Sequence, residues 1–594
     1  MKIRYLDGNR LYYAFLAGGQ AVIRDQAYLN KINVFPVPDS DTGTNLASTM
    51  HSIAERARAS RSANATLGSI ADAALLGARG NSGLIFAQFL YGLSQEIRDE
   101  SRLSPHHFAE GVRKAVQYAR RAILTPVEGT MITLIHDWAE ALYEQRLKMN
   151  DFVELLSYSL HVAEKSLKDT PKKLAVLAEA GVVDAGAKGF FDFIEGVVAF
   201  IKMGNIKAIL EEDAASLPQP MDVHATRSSI SKRYCSEALL VGKDLDIEAV
   251  QGLVRRSGES AIVAGSPSKL RLHVHTDTPS DLFHELQKHG TIQDIKADDM
   301  LRQFEAAHAR KASIAILTDS ACDLPWSVLD DYQVHVIPFS LFFGESLFLD
   351  KVTIAPGQFY DLLKSRREMP TSAQPPQANV DRALEFLAGH YESVIAVTIS
   401  ASLTGFYGQL LKARETLGLD DSRVAIVNSR HLSVSEALVV LRVAEAVSAG
   451  RSFAEISREA EDWAAKTKLW VDIRTLKYMV RGGRVSPLKG LLAAALNIRP
   501  IVTLDAEGKA IILGKSFSRR QNMKKILGLI RTATEGRCVW NYGLVHAQNP
   551  YRALRYAHTL EEMLGKKVAF ISDVSPVVGV HNGIGVVGVA LMFE

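Results

Sequence analysis

Cysteine is scarce in this chain of 594 residues, which contains three cysteines. Cys235, Cys322 and Cys538 lie far apart and are odd in number, so we expect no disulfide framework and a reducing compartment. The amino end, MKIRYLDGNRLYYAF, lacks the features of a signal peptide. No run approaches the roughly 18 apolar residues that a membrane-spanning helix needs. These absences predict a cytoplasmic protein with no membrane span.

Net charge is also small. The 69 Lys and Arg residues against 66 Asp and Glu residues give a formal charge of +3, which excludes a chain-wide basic footprint for nucleic acid. Two basic stretches, at residues 481–484 and 519–525, are local. Hydrophobic residues at 47% and charged residues at 23% are close to globular averages, and the length predicts several modules.

The hydrophobic pattern changes along the chain and predicts a multidomain protein. In residues 1–210 apolar side chains recur at intervals of three and four residues, which predicts an all-α module. Residues 211–231 carry charge, two prolines and no periodicity, as linkers do. Residues 232–311, with the alternating KLRLHVHT, predict a small α/β unit. Val/Ile-rich runs within residues 312–594 predict a larger α/β region with a mostly parallel sheet covered on both faces.

The segment NVFPVPDSDTGTN contains two acidic residues, Asp39 and Asp41, two positions apart. In extended chain their carboxylates point to one side, and such a pair suits Mg²⁺, which prefers hard oxygen ligands. The same residues also fit an ordinary turn in which an Asp caps a helix. A second segment, GARGNSG at residues 77–83, allows the backbone to approach either a phosphate or a neighbouring helix closely. Both interpretations remain open for each segment.

Two further glycine turns, EGTM at 128–131 and GVVDAGAKG at 181–189, complete a set of four. Over about residues 10–200 this set resembles the nucleotide-binding subunit of dihydroxyacetone kinases, and more closely the N-terminal domain of the kinase component of bacterial fatty-acid kinase. The resemblance implies an eight-helix barrel in which Asp39 and Asp41 hold Mg²⁺ against the phosphates of ATP. It also implies that these residues surround the nucleotide: Thr44, Asn45, Asn81, Ser82, Thr130, Met131, Asp184 and Gly186. Ser40 and Asn33 depart from the glycine and the third aspartate of the resembled families.

A Cys and two His residues in the middle unit form a candidate metal site. His273 and His275 share one face of a predicted strand, and Cys235 begins another strand. A thiolate and two imidazoles suit Zn²⁺, although a buried Cys and two partly exposed His residues are the alternative. The segments YCSEALLVG and LHVHTDTP resemble the middle domain of the same kinase component. That resemblance implies a zinc site that organises the structure and does not perform the chemistry.

Five hydroxyl- or glycine-rich turns follow predicted strands in the carboxy-terminal region: LTDSACDLP, PTSAQPP, ISASLTGFYGQ, RGGRVSP and VGVHNGIG. In an open α/β sheet such turns line the ligand crevice, although each alone also fits a plain loop. Their order resembles the DegV family, the fatty-acid carrier of the same kinase system. The resemblance implies a bound long-chain fatty acid whose carboxylate meets a set of polar side chains. These are Thr371, Ser372 and Thr404, with Arg484 and His581 nearby.

Two residues of this region depart from the DegV pattern. Phe406 stands where a threonine is usual, and Ile584 replaces a proline in the turn that follows His581. These departures bear on the shape of the loop and on the chain preference of the binding site.

Together the resemblances imply ATP-dependent phosphorylation of a bound fatty acid to an acyl phosphate, with kinase and carrier fused in one chain. Arg484 is then expected to stabilise the transferring phosphoryl group. The resemblances also imply a homodimer and delivery of the product to a membrane-associated acyltransferase for phospholipid synthesis. Two alternatives remain: a non-catalytic lipid-binding or regulatory protein, and a small-molecule kinase of the dihydroxyacetone type.

Overall fold

The computed structural model describes residues 2–36, 41–97, 101–204, 230–482 and 499–594. The chain divides into two compact units. The first comprises Met1–Thr278 and Glu285–Met300, and the second comprises Pro279–His284 and Leu301–Glu594. The predicted middle unit therefore belongs largely to the same compact unit as the helical module. Except for residues 230 and 231, the predicted linker lies outside the described residues.

The amino-terminal part of the first unit is helical, as predicted. Its helices are α1 (Gly8–Arg24), α2 (Gln26–Lys31), α3 (Thr42–Arg56), α4 (Ala63–Gly77), α5 (Gly80–Glu96), α6 (Pro105–Ala122), α7 (Met131–Gln145), α8 (Phe152–Lys173), α9 (Ala175–Ala180) and α10 (Ala185–Met203). Of these described helices, eight have 15 residues or more, and α2 and α9 have six each. Two short strands, β1 (Leu6–Asp7) and β2 (Arg102–Leu103), pair antiparallel. Closure of the eight long helices into a barrel stays a prediction.

Local signals explain where α6 begins and ends. The Ser104 hydroxyl accepts a hydrogen bond from the backbone N–H of His107, and Pro105 occupies the first turn, where no N–H donor is needed. Arg120 and Arg121 occupy the last turn, where positive charge interacts favourably with the helix dipole.

An aromatic cluster forms part of the core between α5, α7 and α10. Phe86 and Phe89 of α5, Trp138 of α7, and Phe190 and Phe193 of α10 pack with ring centroids between 4.9 and 6.4 Å apart. Large rings in edge contact leave few alternative arrangements. This cluster therefore holds three helices in a defined relation to one another.

The middle sheet is antiparallel and shares the helical core. Its strands are β3 (Tyr234–Val241), β4 (Glu259–Ser266), β5 (Lys269–Thr276) and β6 (Thr291–Asp299), in the order β4-β5-β3-β6, with α11 (Ile247–Ser257) alongside. Ile262 and Ala264 of β4 belong to the same hydrophobic cluster as the helices. The backbone N–H of Gly265 donates to Oε1 of Gln88 on α5 at 2.7 Å. The predicted separate unit is thus packed against α5.

Three sheets lie within the described residues of the second unit. A four-stranded parallel sheet has the order β13-β12-β7-β8, a three-stranded antiparallel sheet has the order β10-β9-β11, and a six-stranded sheet has the order β16-β15-β14-β19-β17-β18. The strands are β7 (Ile314–Asp319), β8 (His335–Ile337), β9 (Ser340–Phe343), β10 (Ser346–Leu349), β11 (Thr371–Ala373), β12 (Ser393–Thr398), β13 (Val424–Asn428), β14 (Thr467–Asp472), β15 (Arg499–Leu504), β16 (Ala510–Ser516), β17 (Val539–His546), β18 (Phe570–Asp573) and β19 (Val587–Phe593).

The remaining helices follow the middle sheet or connect these strands. They are α12 (Pro279–Leu286), α13 (Met300–His308), α14 (Trp326–Asp331), α15 (Pro356–Ser365), α16 (Gln377–His390), α17 (Phe406–Thr416), α18 (Ser433–Ser448), α19 (Phe453–Ala465), α20 (Lys477–Arg481), α21 (Arg519–Thr534), α22 (Pro550–Leu564) and α23 (Pro576–Asn582). None of the helices in the described part of the chain is long and apolar enough to cross a lipid bilayer.

The predicted mostly parallel sheet is correct for four strands and wrong for the largest sheet. Within the six-stranded sheet only the β17–β18 pair is parallel. The residues of β19 are buried throughout. A continuous apolar run therefore indicates that a strand is buried on both faces of the sheet. It does not indicate whether the neighbouring strands are parallel or antiparallel.

A buried charge network fastens four segments of the second unit. The Asp323 carboxylate accepts hydrogen bonds from Ser433 Oγ at 2.5 Å and Ser575 N at 3.0 Å, and lies 2.9 Å from Lys351 Nζ. Lys351 also donates to the carbonyl of Cys322 at 2.7 Å. These bonds tie the LTDSACDLP turn to the start of α18, to the end of β10 and to the start of α23.

Three further buried carboxyl groups surround this cation. Burial raises the pKa of Asp319 to about 6 and that of Asp350 to about 7, and it raises the pKa of Glu436 well above its ordinary value. Lys351 is the positive charge that acts on all three. The LTDSACDLP turn, which the sequence placed at the ligand crevice, therefore has a structural role.

Replacing this lysine tests the network. Lys351→Met should lower the free energy of unfolding of the second unit by about 3–5 kcal/mol, because it leaves buried carboxyl groups without their cation. Urea unfolding followed by tryptophan fluorescence measures the change. Lys412→Met is the control, because Lys412 is exposed on α17 and lies outside the network. Equal unfolding midpoints for the two variants would contradict the assignment.

Candidate nucleotide site, metal cluster and acyl pocket

The predicted nucleotide residues lie at the amino-terminal ends of four helices. Asp41, Arg79, Thr130 and Asp184 occupy the N-cap positions of α3, α5, α7 and α10. The first backbone N–H groups of a helix have no partner within it, and the helix dipole is positive at this end. Such ends bind phosphate and other anions.

Two glycines show how closely the four segments approach one another. A Cβ added at Gly186 would lie 2.8 Å from Ser82 Oγ and 3.3 Å from Met131 Cβ. A Cβ added at Gly80 would lie 2.3 Å from Nδ2 of Asn45. No side chain fits at either position, so α10 lies against α5 and α7, and α5 lies against α3. The structure therefore brings the four predicted segments together.

Asn81 supplies the clearest indication of a ligand. Its side-chain Oδ1 is buried and has no hydrogen-bond partner among the residues that the structure describes. An unpaired buried amide is costly, so a group that pairs with it on binding gains free energy. Thr44 and Thr130 are partly engaged: Thr44 Oγ1 accepts from Asn30 Nδ2 at 2.9 Å, and Thr130 Oγ1 donates to the carbonyl of Val127 at 2.7 Å.

Asp41 does not cap its helix, although it precedes α3. Across the described residues, its carboxylate makes no hydrogen bond to the α3 backbone. Its Oδ2 atom lies 4.0 Å from Nζ of Lys296, and 32% of the side chain is exposed. The helix-cap alternative therefore has no support from the geometry, and the carboxylate can take a cation. Its predicted partner, Asp39, lies outside the described residues.

Asp184 joins two helix starts. Its Oδ1 accepts from the backbone N–H of Ala187 at 2.7 Å, and the backbone of Met131 bonds to the same carboxyl group. Burial raises the pKa of Asp184 to about 6, against the effect of these two bonds. Asp184 thus positions α7 and α10, which is a less direct role than the predicted contact with nucleotide.

The predicted metal ligands lie together in the middle sheet. One ligand atom each from Cys235, His273 and His275 lies within 4.8 Å of the others, and all three residues are buried. The register places Cys235 opposite His275 and Glu237 opposite His273. Burial, followed by the neighbouring His273, lowers the pKa of His275 to about 3, which keeps its imidazole neutral as a metal ligand requires.

Glu237, which the sequence analysis missed, sits behind the cluster. Its Oε1 accepts from the backbone N–H of Gly80 at 2.6 Å and lies 3.1 Å from Nδ1 of His273. Burial opposes ionisation, but hydrogen bonding to His273 and the charge of Lys296 lower the pKa of Glu237. The other ring nitrogen of His273, Nε2, is buried with no partner among the described residues. A carboxylate-held imidazole and a buried thiol fit Zn²⁺.

Lys296 on β6 was also missed. Its Nζ lies 2.9 Å from Asp298 and 4.0 Å from Asp41. Burial opposes its charge, but Asp298 and Glu237 raise the pKa of Lys296, so the amine is charged. The motif-based search overlooked Lys296 and Glu237 because neither belongs to a short motif. The only local signal is the i, i+2 spacing of Cys235 and Glu237.

A largely apolar pocket lies in the second unit. It shares lining residues with a second cavity, among them Leu432, Met479 and Leu504. Among its polar lining groups, Ser372 Oγ lies 3.3 Å from His581 Nε2, and Thr404 belongs to the same lining. Apolar pockets with a few polar groups take small apolar ligands with one polar end.

Two of the predicted carboxylate ligands are not placed at this pocket. Thr371, on β11 directly before Ser372, is absent from the lining. Arg484 lies outside the described residues.

The two departures from the DegV pattern have local explanations. Phe406 is fully buried at the start of α17, and its ring lies 5.7 Å from that of Phe339, a pocket-lining residue. It therefore supports the pocket wall. Around Ile584, Gly583 and Gly585 adopt φ values of +72° and +88°, which glycine tolerates, so the turn forms without proline.

Family models match three successive parts of the chain. A DAK2 domain matches residues 36–199, the FakA-like middle domain of fatty acid kinase matches residues 231–307, and the uncharacterised-protein family DegV matches residues 313–594. Three successive parts of the chain are thus similar to these three families, in this order. The resemblances read from the sequence are thereby confirmed. The DegV match covers most of the second unit.

Curated relatives match this chain over only part of their own length. An uncharacterized protein of Staphylococcus epidermidis is 33% identical over 311 residues, which are 51% of this chain and 56% of the relative. One of Staphylococcus aureus strain RF122 is 32% identical over 315 residues, 51% of this chain and 57% of the relative. The chain thus spans little more than half the length of these relatives.

Solved structures match the DegV-like half. DegV, a fatty acid binding protein from Bacillus subtilis, is 24% identical with a TM-score of 0.43 and covers 48% of this chain and 100% of its own. A fatty-acid-binding DegV family protein from Thermus thermophilus is 23% identical with a TM-score of 0.44, and the match covers 47% of this chain and 99% of that protein.

The buried Asp184 makes stability depend on pH in a defined direction. Its folded-state pKa of about 6 exceeds the ordinary value of 3.8, so its favourable contribution is complete below about pH 4 and is lost as pH rises to about 6. Asp184→Asn keeps the capping oxygen and removes this titration. The stability of the wild type relative to the variant should therefore fall by about 3 kcal/mol between pH 4 and pH 7 in urea unfolding.

Asp246→Asn provides the control for this measurement. Asp246 caps α11 by the same kind of bond, to Ala249 N at 2.9 Å, but from an exposed position. The difference in unfolding free energy between the wild type and Asp246→Asn should change less with pH than the difference between the wild type and Asp184→Asn. Equal changes would contradict the role of burial at Asp184.

Proposed function

We propose that this chain is a fatty-acid kinase, which uses ATP to convert a long-chain fatty acid to its acyl phosphate. One observation carries the proposal. A single polypeptide combines a polar site built from four helix starts with an apolar pocket whose lining includes hydroxyl and imidazole groups. The first suits a nucleotide and the second suits an acyl chain with a carboxylate head.

The pocket provides the affinity for the fatty acid. Burying an acyl chain contributes about 0.8 kcal/mol per CH₂, so about fifteen methylenes contribute on the order of 12 kcal/mol before entropy costs. A carboxylate buried without partners would cancel much of this gain. Ser372, Thr404 and His581 are among the lining groups that can donate hydrogen bonds to it, as are Gln374 and Asn582.

The chemistry needs no general base. A carboxyl group has an ordinary pKa near 4, so it is already a carboxylate at neutral pH. One carboxylate oxygen attacks the γ-phosphorus of ATP, the bond between that phosphorus and the β,γ-bridging oxygen breaks, and ADP leaves with the electron pair. The products are acyl phosphate and ADP, and no proton is transferred. Catalysis is then mainly positioning and charge stabilisation.

The residues of the first unit supply that stabilisation. The backbone N–H groups at the starts of α3 and α5 and the ammonium group of Lys296 meet negative charge. Asp39 and Asp41 are the residues that would hold Mg²⁺, which neutralises phosphate charge when bound. Arg484 remains the proposed second cation for the phosphoryl group. The two sites must meet for transfer, within one chain or between two copies in a dimer.

The Cys235, His273 and His275 cluster would hold Zn²⁺ in an organising role. Through Glu237, the position of His273 is tied to the start of α5, where the candidate nucleotide site lies. An ordered cluster therefore keeps Gly80 and Asn81 in place. A membrane-associated acyltransferase that consumes the acyl phosphate is the proposed downstream partner.

A hydroxylamine trap tests the reaction. Hydroxylamine converts acyl phosphate to a hydroxamate, which mass spectrometry detects. The wild-type chain with ATP, Mg²⁺ and a long-chain fatty acid should yield hydroxamate, and Asp41→Asn should lower the rate about 100-fold or more. Asp72→Asn, at an exposed position on α4, should leave it unchanged.

Different outcomes assign different functions. Hydroxamate formation that Asp41→Asn leaves intact would refute the metal assignment. A chain that retains fatty acid in native mass spectrometry but forms no hydroxamate is a passive lipid binder. Phosphorylation of dihydroxyacetone without fatty acid binding would indicate the small-molecule kinase.

Glu237 offers a separate test of the metal cluster. Glu237→Gln should weaken Zn²⁺ binding about 10- to 100-fold, because the carboxylate that orients His273 and increases its basicity is lost. Competition with a chromophoric chelator measures the affinity, and the visible spectrum of the Co²⁺-substituted protein reports the ligand set. Glu248→Gln, at an exposed position on α11, is the control. Stoichiometric, equally tight binding by Glu237→Gln would disprove the coupling.

A further inference from the structure

Acidic side chains cap several helices of the first unit. Asp7, Asp151 and Asp184 each accept a hydrogen bond from a backbone N–H in the first turn of α1, α8 and α10. Asp41 precedes α3 in the same way, but its carboxylate accepts no such bond among the described residues. Its backbone, with φ −117° and ψ −6°, also lacks the extended conformation that capping residues usually adopt. The start of α3 is therefore capped differently.

A side chain from the neighbouring helix α2 takes the place of that cap. Asn30 Oδ1 accepts from the backbone N–H of Thr44 at 3.0 Å, and Thr44 is the third residue of α3. A capping side chain accepts from the second or third N–H of its helix, so Asn30 provides the same bond from another element. The backbone N–H can only donate, which places Oδ1 against it and directs Nδ2 to the Thr44 hydroxyl.

Two amides surround the hydroxyl group of Thr44. Its Oγ1 accepts from Asn30 Nδ2 at 2.9 Å and from Gln26 Nε2 at 3.2 Å. A hydroxyl oxygen has two lone pairs and one hydrogen, so both lone pairs are occupied and the group can act further only as a donor. Thr44 is exposed at the candidate nucleotide site, and phosphate oxygens are acceptors. The two amides thus prepare this hydroxyl for an anionic ligand.

Helices α2 and α3 approach each other too closely for a side chain at Gly43. A Cβ added there would lie 2.1 Å from the backbone carbonyl oxygen of Gln26 and 2.8 Å from Asn30 Oδ1. Because the shorter contact is with backbone, a change of rotamer could not relieve it. The glycine of the DTGTN segment therefore allows α2 to come within hydrogen-bonding distance of Thr44.

The cap from Asn30 leaves the Asp41 carboxylate available. An acidic side chain that caps a helix has an oxygen engaged with backbone, as Asp184 Oδ1 is with the N–H of Ala187 at 2.7 Å. Asp41 Oδ2 instead lies 4.0 Å from Lys296 Nζ, and 32% of the side chain is exposed. Within the described residues, no bond to α3 competes with a divalent cation for this carboxylate.

We propose that Asn30 is a positioning residue of the nucleotide site. It caps α3 in place of Asp41, which keeps the Asp41 carboxylate free to hold Mg²⁺, and it fixes the Thr44 hydroxyl as a donor to a phosphate oxygen. Asn30 acts through these two neighbours rather than by contact with the phosphates. This inference rests on the proposed function, because that function assigns the nucleotide and the cation to this site.

Nucleotide binding by the full chain, without fatty acid, tests the proposal. The fluorescence of mant-ATP, which is ATP with a fluorescent group on its ribose, gives two quantities. One is the Mg²⁺ concentration that half-saturates binding, which reports on the Asp41 carboxylate. The other is the dissociation constant of mant-ATP at saturating Mg²⁺, which reports on the Thr44 hydroxyl.

Two substitutions of Asn30 should change different quantities. Asn30→Ala removes the cap, so the Asp41 carboxylate turns to the α3 backbone and the half-saturating Mg²⁺ concentration should rise about tenfold. Asn30→Asp keeps an acceptor for the Thr44 N–H but removes the donor, so the Thr44 hydroxyl donates to the new carboxylate. Its Mg²⁺ requirement should not rise, but its dissociation constant for mant-ATP should rise about tenfold. A proportionate rise of both quantities in both variants would indicate general loosening and overturn the proposal.

A double variant shows whether the aspartate acts through the hydroxyl or by its charge. Thr44→Val should raise the dissociation constant about as much as Asn30→Asp does, and adding Asn30→Asp to Thr44→Val should change it by less than about threefold. A further loss of about tenfold would assign the effect to charge repulsion and refute the role of the hydroxyl. Should Asn30→Ala fail to fold, this pair still tests the proposal, because Asn30→Asp keeps the cap.

Asn64→Ala is the control for these substitutions. Asn64 is half-buried, as Asn30 is, and lies in the first turn of α4, at the opposite end of that helix from the GARGNSG segment. This variant should bind mant-ATP and Mg²⁺ as the wild type does. A wild-type chain that does not bind mant-ATP would refute the proposed function together with this inference. Wild-type binding that both substitutions of Asn30 leave unchanged would refute this inference alone.

Discussion

The first unit depends on the buried carboxylate of Glu237, which bonds at once to the start of a helix and to an imidazole of the middle sheet. Its Oε1 accepts from Gly80 N at 2.6 Å and lies 3.1 Å from His273 Nδ1. A fully buried charge must be compensated, so loss of either partner while Glu237 stays buried would leave a carboxylate under-compensated in a medium of low polarity. This constraint connects the candidate metal cluster to the loop that carries Asn81.

Buried ions also organise the second unit, but with another purpose. The Lys351 ammonium and the Asp323 carboxylate join four segments. The apolar pocket of the same unit has a separate set of polar lining groups, which includes Ser372 and His581. The same separation exists in the first unit, where Asp184 holds helices and Asp41 does not.

Several features were accessible from the sequence because they depend on near neighbours. Helical periodicity, the i, i+2 pair of His273 and His275, and the glycine turns at 77–83 and 181–189 report local geometry. The family likenesses extended this information to the order of domains. Strand direction was not accessible in the same way, because the apolar run of β19 reports burial on both faces and is indifferent to which strands lie beside it.

The sequence by itself determined the chemical groups available: the acidic pair at Asp39 and Asp41, the Cys and two His residues, the hydroxyl turns and the basic stretch at 519–525. Only the tertiary structure decided which groups meet. Glu237 and Lys296 lie at the candidate site, Thr371 is absent from the pocket lining, and the LTDSACDLP turn takes part in a buried charge network. These outcomes follow from contacts between residues from 29 to 252 positions apart, which local patterns do not encode. Side-chain packing selects those contacts through the burial and compensation of charge.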